Sequence, residues 1–287
     1  MPDLYPKQIV VNEQSILRLE KTLKSAYADI VDEITGATSF GTANRRAILK
    51  QIEGILTGLG VDVDTFLRKE LTTYYKIGAD ESIRQLQNIG AEVNVAEGFN
   101  RVHKDAIASL VDDAATAFGE SMSGVNRSAQ LLLGRAVREA ITQRMATSLV
   151  SGDALRNVKQ MIVGLLQQNG LDALKDKGGN SWTLDRYAEM LFRTKAVEAR
   201  NRGVVNRMAE NGYDLVQVSS HGATDVCGDW EGKILSISGE TTELDGEPVA
   251  TVAEAEADGL FHPNCRHALN VLIPSLANET GAYDNPA

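Results

Sequence analysis

The sequence changes from helical to β patterning at Asp214-Leu215-Val216-Gln217-Val218-Ser219-Ser220. Apolar and polar side chains alternate there with a period of two, which is typical of a half-buried strand. Two further strands are predicted at 233–237 and 266–273, and between them lies an acidic stretch, 240–258, that we expect to be a loop. A small sheet is therefore expected towards the C-terminus.

A long amphipathic helix leads into this sheet. Ser181 or Thr183 can cap its first turn, and Gly212 is suited to the left-handed residue that follows its end at Asn211. One face of the helix carries an apolar stripe and the other carries several arginines. The helix and the strands together predict a C-terminal α+β domain.

The first two-thirds of the chain has the three-to-four-residue apolar periodicity of helices, interrupted at glycines. The predicted helices span 12–35, 42–59, 62–89, 93–118, 124–150 and 153–169. The polar, glycine-rich stretch 175–180 is the best candidate for a domain boundary. The fold class is therefore mainly α with a C-terminal α+β domain: a helical scaffold over 1–180, the α+β domain over 181–275, and a tail over 276–287.

Charge is unevenly distributed along the chain. The net charge of −10 argues against a general duplex-DNA binder, because that function depends on Lys and Arg neutralising phosphates. Residues 121–210 are nevertheless net basic, whereas 211–287 are strongly acidic. Within the predicted helix 124–150, Arg127, Arg135 and Arg138 share one face. They are candidates for contact with a nucleic acid or a protein partner; a solvated helix face is the alternative.

The sequence has no stretch of about 18 apolar residues that could span a membrane. Its first residues also lack the basic and apolar regions of a signal peptide. Two cysteines do not make a disulfide framework. We therefore expect a protein that is made and folds in a cytoplasm and has no membrane partner.

Three of the four histidines and both cysteines fall in one C-terminal segment: His221, Cys227, His262, Cys265 and His267. Two short pairs separated by a longer stretch are the usual pattern of a tetrahedral zinc site. If 265–267 is extended, Cys265 and His267 point to the same side, because side chains alternate along a strand. These five residues are therefore candidate ligands of one structural zinc.

The same cluster has three other interpretations. The cysteines can be buried small apolar residues and the histidines hydrogen-bonded structural groups, with no cofactor. Cys227 and Cys265 can form a disulfide, which a reducing compartment disfavours. A Cys–His pair or a metal-bound water can be catalytic, although no set of nucleophile, base and orienting group is apparent from the spacing.

Four ordered motifs resemble the minor capsid, or head-morphogenesis, proteins of tailed bacteriophages. They are Tyr187-Ala188-Glu189-Met190 leading to Arg193-Thr194, Gly212-Tyr213-Asp214-Leu215-Val216-Gln217-Val218-Ser219-Ser220-His221, Cys227-Gly228-Asp229-Trp230-Glu231-Gly232-Lys233 and Gly259-Leu260-Phe261-His262-Pro263-Asn264-Cys265-Arg266-His267. The resemblance covers about 181–275.

The resemblance implies a virion component, assembled in the host bacterial cytoplasm and located at the portal vertex or in the capsid interior. It implies several copies per particle, partners among the portal and major capsid proteins, possible contact with packaged DNA, and a role in head assembly and DNA packaging or delivery rather than catalysis. The residues that match the motifs are interpreted as stabilising the domain: Arg193, His221, Cys227, Trp230, His262, Cys265 and His267. The alternative is a metal-dependent nuclease or a toxin-like transferase in the C-terminal domain.

Overall fold

The computed structural model describes residues 5–38, 42–94, 99–146, 172–175 and 181–274. Its first half consists of three helices: α1 (Glu13–Gly36), α2 (Thr42–Asn88) and α3 (Arg101–Ala146). A two-stranded antiparallel ladder of β1 (Asp172–Lys175) and β2 (Ser181–Thr183) precedes α4 (Leu184–Glu210). The predicted fold class, mainly α with a C-terminal α+β region, is confirmed.

Two of the predicted helix breaks are wrong. The predicted helices 42–59 and 62–89 form the single helix α2, and 93–118 joins 124–150 in α3, which begins at Arg101; residues 147–150 and the predicted helix 153–169 lie outside the described residues. Gly58 and Gly60 therefore do not end a helix. Each glycine costs about 1 kcal/mol relative to alanine, but burial of one large aliphatic side chain contributes about 2 kcal/mol. The buried stripe that continues through the glycines outweighs them: Ile52, Leu56, Leu59, Val63 and Leu67.

The C-terminal sheet contains four strands in the order β7-β4-β3-β8. They are β3 (Leu215–Val218), β4 (Ile234–Ser236), β7 (Ala250–Thr251) and β8 (Leu269–Val271). β3 is antiparallel to β4 and β8, and β4 is parallel to β7. The three predicted strands are confirmed, and each is shorter than its predicted range.

The acidic stretch 240–258 is not the plain loop that was expected. It contains the two-residue strands β5 (Glu243–Leu244) and β6 (Glu247–Pro248), the strand β7, and helix α5 (Val252–Ala257). Thr251 and Glu254 form a reciprocal capping box at the start of α5, which satisfies main-chain N–H groups that the helix leaves unpaired. The acidic composition favoured a loop prediction, although the Thr-x-x-Glu pattern of Thr251 and Glu254 is the sequence signal of a helix start.

Contacts divide the chain into two compact units. The first, here called the sheet unit, comprises 1–15, 67–114 and 190–287; the second, here called the helical unit, comprises 16–66 and 115–189. The predicted boundary at 175–180 and the predicted tail at 276–287 fall largely outside the described residues, and the linear domain division stays a prediction.

In the sheet unit, α2 and α4 approach each other at two glycines. A Cβ atom on Gly78 would lie 1.9 Å from the carbonyl oxygen of Arg200, and one on Gly203 would lie 2.1 Å from that of Tyr75. No side chain larger than hydrogen fits at those distances, so the glycines set the contact between the two backbones.

Two consecutive residues of α4 fix the last strand. The Arg200 guanidinium, 2% exposed, donates to the Leu269 carbonyl oxygen at 2.7 Å and forms an ion pair with Glu81 at 2.6 Å. Asn201 donates to the His267 carbonyl at 3.0 Å and accepts from the Leu269 N–H at 3.0 Å. The end of the sheet and the segment before it are thereby positioned against α4.

Candidate functional site

The two thiols of the predicted cluster lie side by side in the core of the sheet unit. Cys227 belongs to a 3-10 helix (Val226–Trp230), and Cys265 follows the turn that includes Asn264. Both are buried and free, and their sulfur atoms are 3.5 Å apart. A disulfide bond is about 2.05 Å long, so the two cysteines do not form a disulfide in this structure.

His267 lies between this pair of sulfurs and a carboxylate. Its Nδ1 is 3.2 Å from Cys265 Sγ, and its Nε2 is 3.0 Å from Glu231 Oε1. An ionised carboxylate only accepts hydrogen bonds, so Nε2 carries the proton and the Nδ1 lone pair faces the sulfur. Cys265 and His267 do point to the same side, as the predicted alternation requires.

Glu231 is the centre of the site, and sequence reasoning missed it as a functional residue. Its carboxylate accepts the main-chain N–H groups of His221 at 2.8 Å, Gly222 at 3.1 Å and Ala223 at 3.0 Å. Desolvation alone would raise the pKa of Glu231, but these hydrogen bonds and the one from His267 together lower it to about 2. The residue is therefore a fixed anion at neutral pH.

The other two histidines occupy separate positions. The His221 ring stacks on the His267 ring at 4.2 Å, and its Nδ1 is 3.8 Å from Glu231. His262 lies at the surface, where its Nε2 is 3.0 Å from Asp225 Oδ2. Asp225 also caps the 3-10 helix, because its other carboxylate oxygen accepts the Cys227 N–H at 3.0 Å.

The five predicted ligands thus fall into overlapping groups of possible ligand atoms rather than converging on one point. Among the described residues, those groups are Cys227 with Cys265 and His267; His221 with Glu231 and His267; and Asp225 with Cys227 and His262. The first group alone is buried throughout.

Burial sets the protonation of the inner group. Desolvation raises the pKa of the Cys265 thiol to about 12. Desolvation also lowers the pKa of His267, although the Glu231 carboxylate opposes that shift. Cys265 is therefore a neutral thiol and His267 a neutral imidazole at neutral pH. A buried neutral thiol is a poor nucleophile, which disfavours thiolate catalysis.

The remaining motif residues have packing and pairing roles. Trp230 is buried in the same core, and the Lys233 ammonium lies 4.6 Å from the centre of its ring. Arg193 is not part of the thiol group: its guanidinium forms an ion pair with Glu13 at 3.2 Å. It lines a cavity of about 400 Å³ together with residues 8–11 and 264–266. Arg193 thus helps to hold the N-terminal segment of the sheet unit.

The predicted basic face lies on α3 in the helical unit. Arg127 and Arg135 are exposed, whereas the side chain of Arg138 lies outside the described residues. Leu131, four residues from each of these two arginines, is 71% exposed. Sequence reasoning missed this leucine, although its spacing of four from both arginines places it on their face.

Sequence reasoning also missed three polar residues that hold the site, two on α4 and one at the start of the 3-10 helix. Arg200 and Asn201 position the backbone of 267–269, and Asp225 positions Cys227. None of them stood out, because an arginine on a helix and an aspartate in a loop are normally solvated. Their role depends on contacts between residues far apart in sequence.

The thiol pair and His267 are buried in the core of the sheet unit, and main-chain hydrogen bonds hold the Glu231 carboxylate beside them. The model of the family "Phage minor capsid protein 2" matches residues 43–285, and the chain belongs to this family. The suspected resemblance is confirmed. No curated protein and no solved structure matches the chain significantly.

Family membership supports a structural role in the phage capsid, association with other phage head proteins and a location in the virion. Across the described residues, no helix is both long enough and apolar enough to cross a bilayer.

Proposed function

We propose that this minor capsid protein lies at the portal vertex or in the capsid interior, in several copies, and acts in head assembly and DNA packaging or delivery. In this proposal it contacts the portal protein, the major capsid protein or both. The observation that carries the proposal is the exposed α3 surface of the helical unit formed by Arg127, Leu131 and Arg135, here called the α3 ridge.

The α3 ridge has the composition of a protein contact. A single exposed leucine is ordinary on a soluble protein. Here Leu131 is exposed between two exposed arginines spaced at i−4 and i+4. Arginine is enriched at protein interfaces, where its apolar stem packs and its guanidinium pairs with carboxylates. The ridge therefore suits an acidic partner surface that also offers an apolar contact for Leu131.

The positive charge of the α3 ridge supports selectivity for an acidic partner. The chain carries a net charge of −10, so its basic ridge differs from most of its own surface. Charge complementarity directs encounter and orientation between partners more than it adds affinity. Packaged DNA is the other acidic surface in a phage head, and a contact with it would depend more steeply on salt, because bound cations are released from the phosphates.

The decisive experiment compares two charge reversals in the helical unit. The test variant is Arg127→Glu/Arg135→Glu; the control is Arg46→Glu/Lys50→Glu, which changes two exposed basic residues four apart on α2. Each protein is tested for co-purification with the phage's own portal and major capsid proteins, and by mass spectrometry for incorporation into particles.

We expect a fixed copy number in wild-type particles, loss of capture and incorporation in the test variant, and little change in the control. Absence of the wild-type protein from purified particles would refute the location in the virion. Equal capture of both variants would refute the role of the α3 ridge. If the protein binds duplex DNA and neither capsid protein, and its DNA affinity decreases steeply on added salt, the partner of the α3 ridge is DNA and not a protein.

A further inference from the structure

We propose that Cys227, Cys265 and His267 bind one Zn²⁺ through two thiolates and the imidazole Nδ1, and that His262 supplies the fourth ligand. The site would be a structural Cys₂His₂ centre in the sheet unit. It is independent of the proposed partner surface, which lies on α3 in the helical unit.

Two of the three separations among the inner ligand atoms are already close to those that tetrahedral zinc requires. Bonds of about 2.3 Å to sulfur and about 2.0–2.1 Å to nitrogen place two sulfurs about 3.8 Å apart, and a sulfur and a nitrogen about 3.6 Å apart. The observed separations are 3.5 Å between Cys227 Sγ and Cys265 Sγ and 3.2 Å between Cys265 Sγ and His267 Nδ1. These two separations need to lengthen by only a few tenths of an ångström, and the ligand atoms of Cys227 and His267 lie within 4.8 Å of each other.

Glu231 prepares His267 to be a ligand. Metal-binding histidines usually donate their second ring N–H to a carboxylate or carbonyl, which fixes the tautomer and the ring orientation. Glu231 accepts from His267 Nε2 at 3.0 Å and leaves Nδ1 directed at the sulfur. His221 stacks on the outer face of this ring and limits its rotation.

His103 provides an internal comparison. It is also a buried histidine of the sheet unit whose Nε2 faces a carboxylate, that of Glu210 at 3.1 Å. Its Nδ1, however, meets the Tyr75 hydroxyl at 2.8 Å. His103 thus has the carboxylate partner without the sulfurs, and its hydrogen bonds account for it fully.

His262 is the proposed fourth ligand because its ligand nitrogen lies within 4.8 Å of Cys227 Sγ and its side chain is 28% exposed. To bind the ion, the His262 ring would turn from its hydrogen bond with Asp225 towards the sulfurs. The backbone around it is strongly bent, with positive φ at Phe261 (63°) and Asn264 (67°). This bend brings the loop of His262 and Cys265 against the 3-10 helix of Cys227.

Binding balances as an exchange of protons for the metal. Cys227 and Cys265 each lose the thiol proton to solvent, and His267 and His262 bind as neutral imidazoles. Two Zn–S and two Zn–N bonds replace the bonds from hydrated Zn²⁺ to water, with no change of oxidation state. The ion would join the 3-10 helix to the segment before β8.

The test uses the full chain, purified with a reductant and freed of metal, then titrated with Co²⁺ and afterwards with Zn²⁺, which should displace the cobalt. We expect one zinc per chain by elemental analysis and a thiolate-to-cobalt charge-transfer band. Cys265→Ser should abolish both signals. Glu231→Gln should lower the affinity about ten- to hundredfold, because it removes the carboxylate behind His267. His103→Gln, the matched control, should retain the wild-type metal content.

Failure of the reduced wild-type protein to retain zinc would overturn the site, as would recovery of the two cysteines as a disulfide. These measurements use the wild-type chain, so they hold even if Cys265→Ser does not fold, which far-ultraviolet circular dichroism would reveal. Unchanged affinity in His262→Ala would overturn the assignment of the fourth ligand.

Discussion

Replacing Gly78 by alanine tests whether the α2–α4 contact is as close as the structure has it. The new Cβ would lie 1.9 Å from the Arg200 carbonyl oxygen and 2.8 Å from its carbonyl carbon. Both atoms belong to a helix backbone, so they cannot move aside as a flexible side chain can. The helices must separate by more than 1 Å before the Cβ reaches ordinary van der Waals contact, which begins at 3.4 Å.

The expected cost follows from two opposing effects. Alanine in a helix interior is favoured over glycine by about 1 kcal/mol. Overpacking a core costs about 1–3 kcal/mol, and more where backbone must shift. Separating the helices also strains the contacts that Arg200 makes with Glu81 and Leu269. We expect Gly78→Ala to lower the free energy of unfolding by about 3 kcal/mol, or Tm by roughly 6–12 °C for a unit of this size.

Gly58→Ala is the matched control, because it makes the same substitution in the same helix. No atom lies within 4 Å of the Cβ that it would introduce. We expect it to raise stability by about 0.5–1 kcal/mol. Urea unfolding followed by circular dichroism measures both variants. Equal or stabilising effects of the two substitutions would refute the close approach of α2 and α4.

Three further outcomes are expected. Glu81→Ala should lower the free energy of unfolding by about 3 kcal/mol, because it leaves the buried Arg200 guanidinium unpaired; a loss below about 1 kcal/mol in denaturant unfolding would contradict this. Desolvation alone would raise the pKa of Asp214, but its hydrogen bonds with Ser238 and Ser236 hold it well below the usual range. The resulting stability is present above the unfolded pKa of about 3.9 and is lost as pH falls through the folded pKa. Asp214→Asn should therefore lower the free energy of unfolding by about 2 kcal/mol at pH 7 and make its decrease below pH 4 less steep. An unchanged dependence of stability on pH below 4 would argue against this. If the zinc site forms, a chelator should lower Tm of the wild-type protein reversibly, with recovery on added Zn²⁺, and Tm unaffected by the chelator would be the contrary result.

Local patterns predicted the local structure well. The alternation at Leu215–Val218 and the cap and stop signals of α4 gave a strand and a helix where the structure has them. Patterns failed where tertiary burial outweighed a local signal, as at Gly58 and Gly60 within α2. Helix continuity there depends on how much apolar surface the whole face buries, which local propensity does not measure.

The candidate site was predictable in composition but not in arrangement. Spacing brought Cys265 and His267 to one side, and the structure agrees. Spacing could not separate His221 from the thiols, nor identify Glu231, because that depends on three loop N–H groups converging on one carboxylate. Nothing in the local sequence Trp230-Glu231-Gly232 indicates that the Glu231 carboxylate accepts three main-chain N–H groups.

The assembly of the sheet unit from three separated stretches has a consequence for how the protein forms. Gln85 Oε1 accepts the Val271 N–H at 2.8 Å, across 186 positions of sequence. Such distant pairings incur loop-closure entropy before they contribute stability, which slows folding. During synthesis on the ribosome, the stretch around Gln85 therefore emerges long before β8, with which it pairs. The apolar side chains of this stretch lack their partners in the meantime. If the chain were cut at the start of α4, the C-terminal fragment would lack Leu86 and Ile89, two side chains of the sheet unit's core.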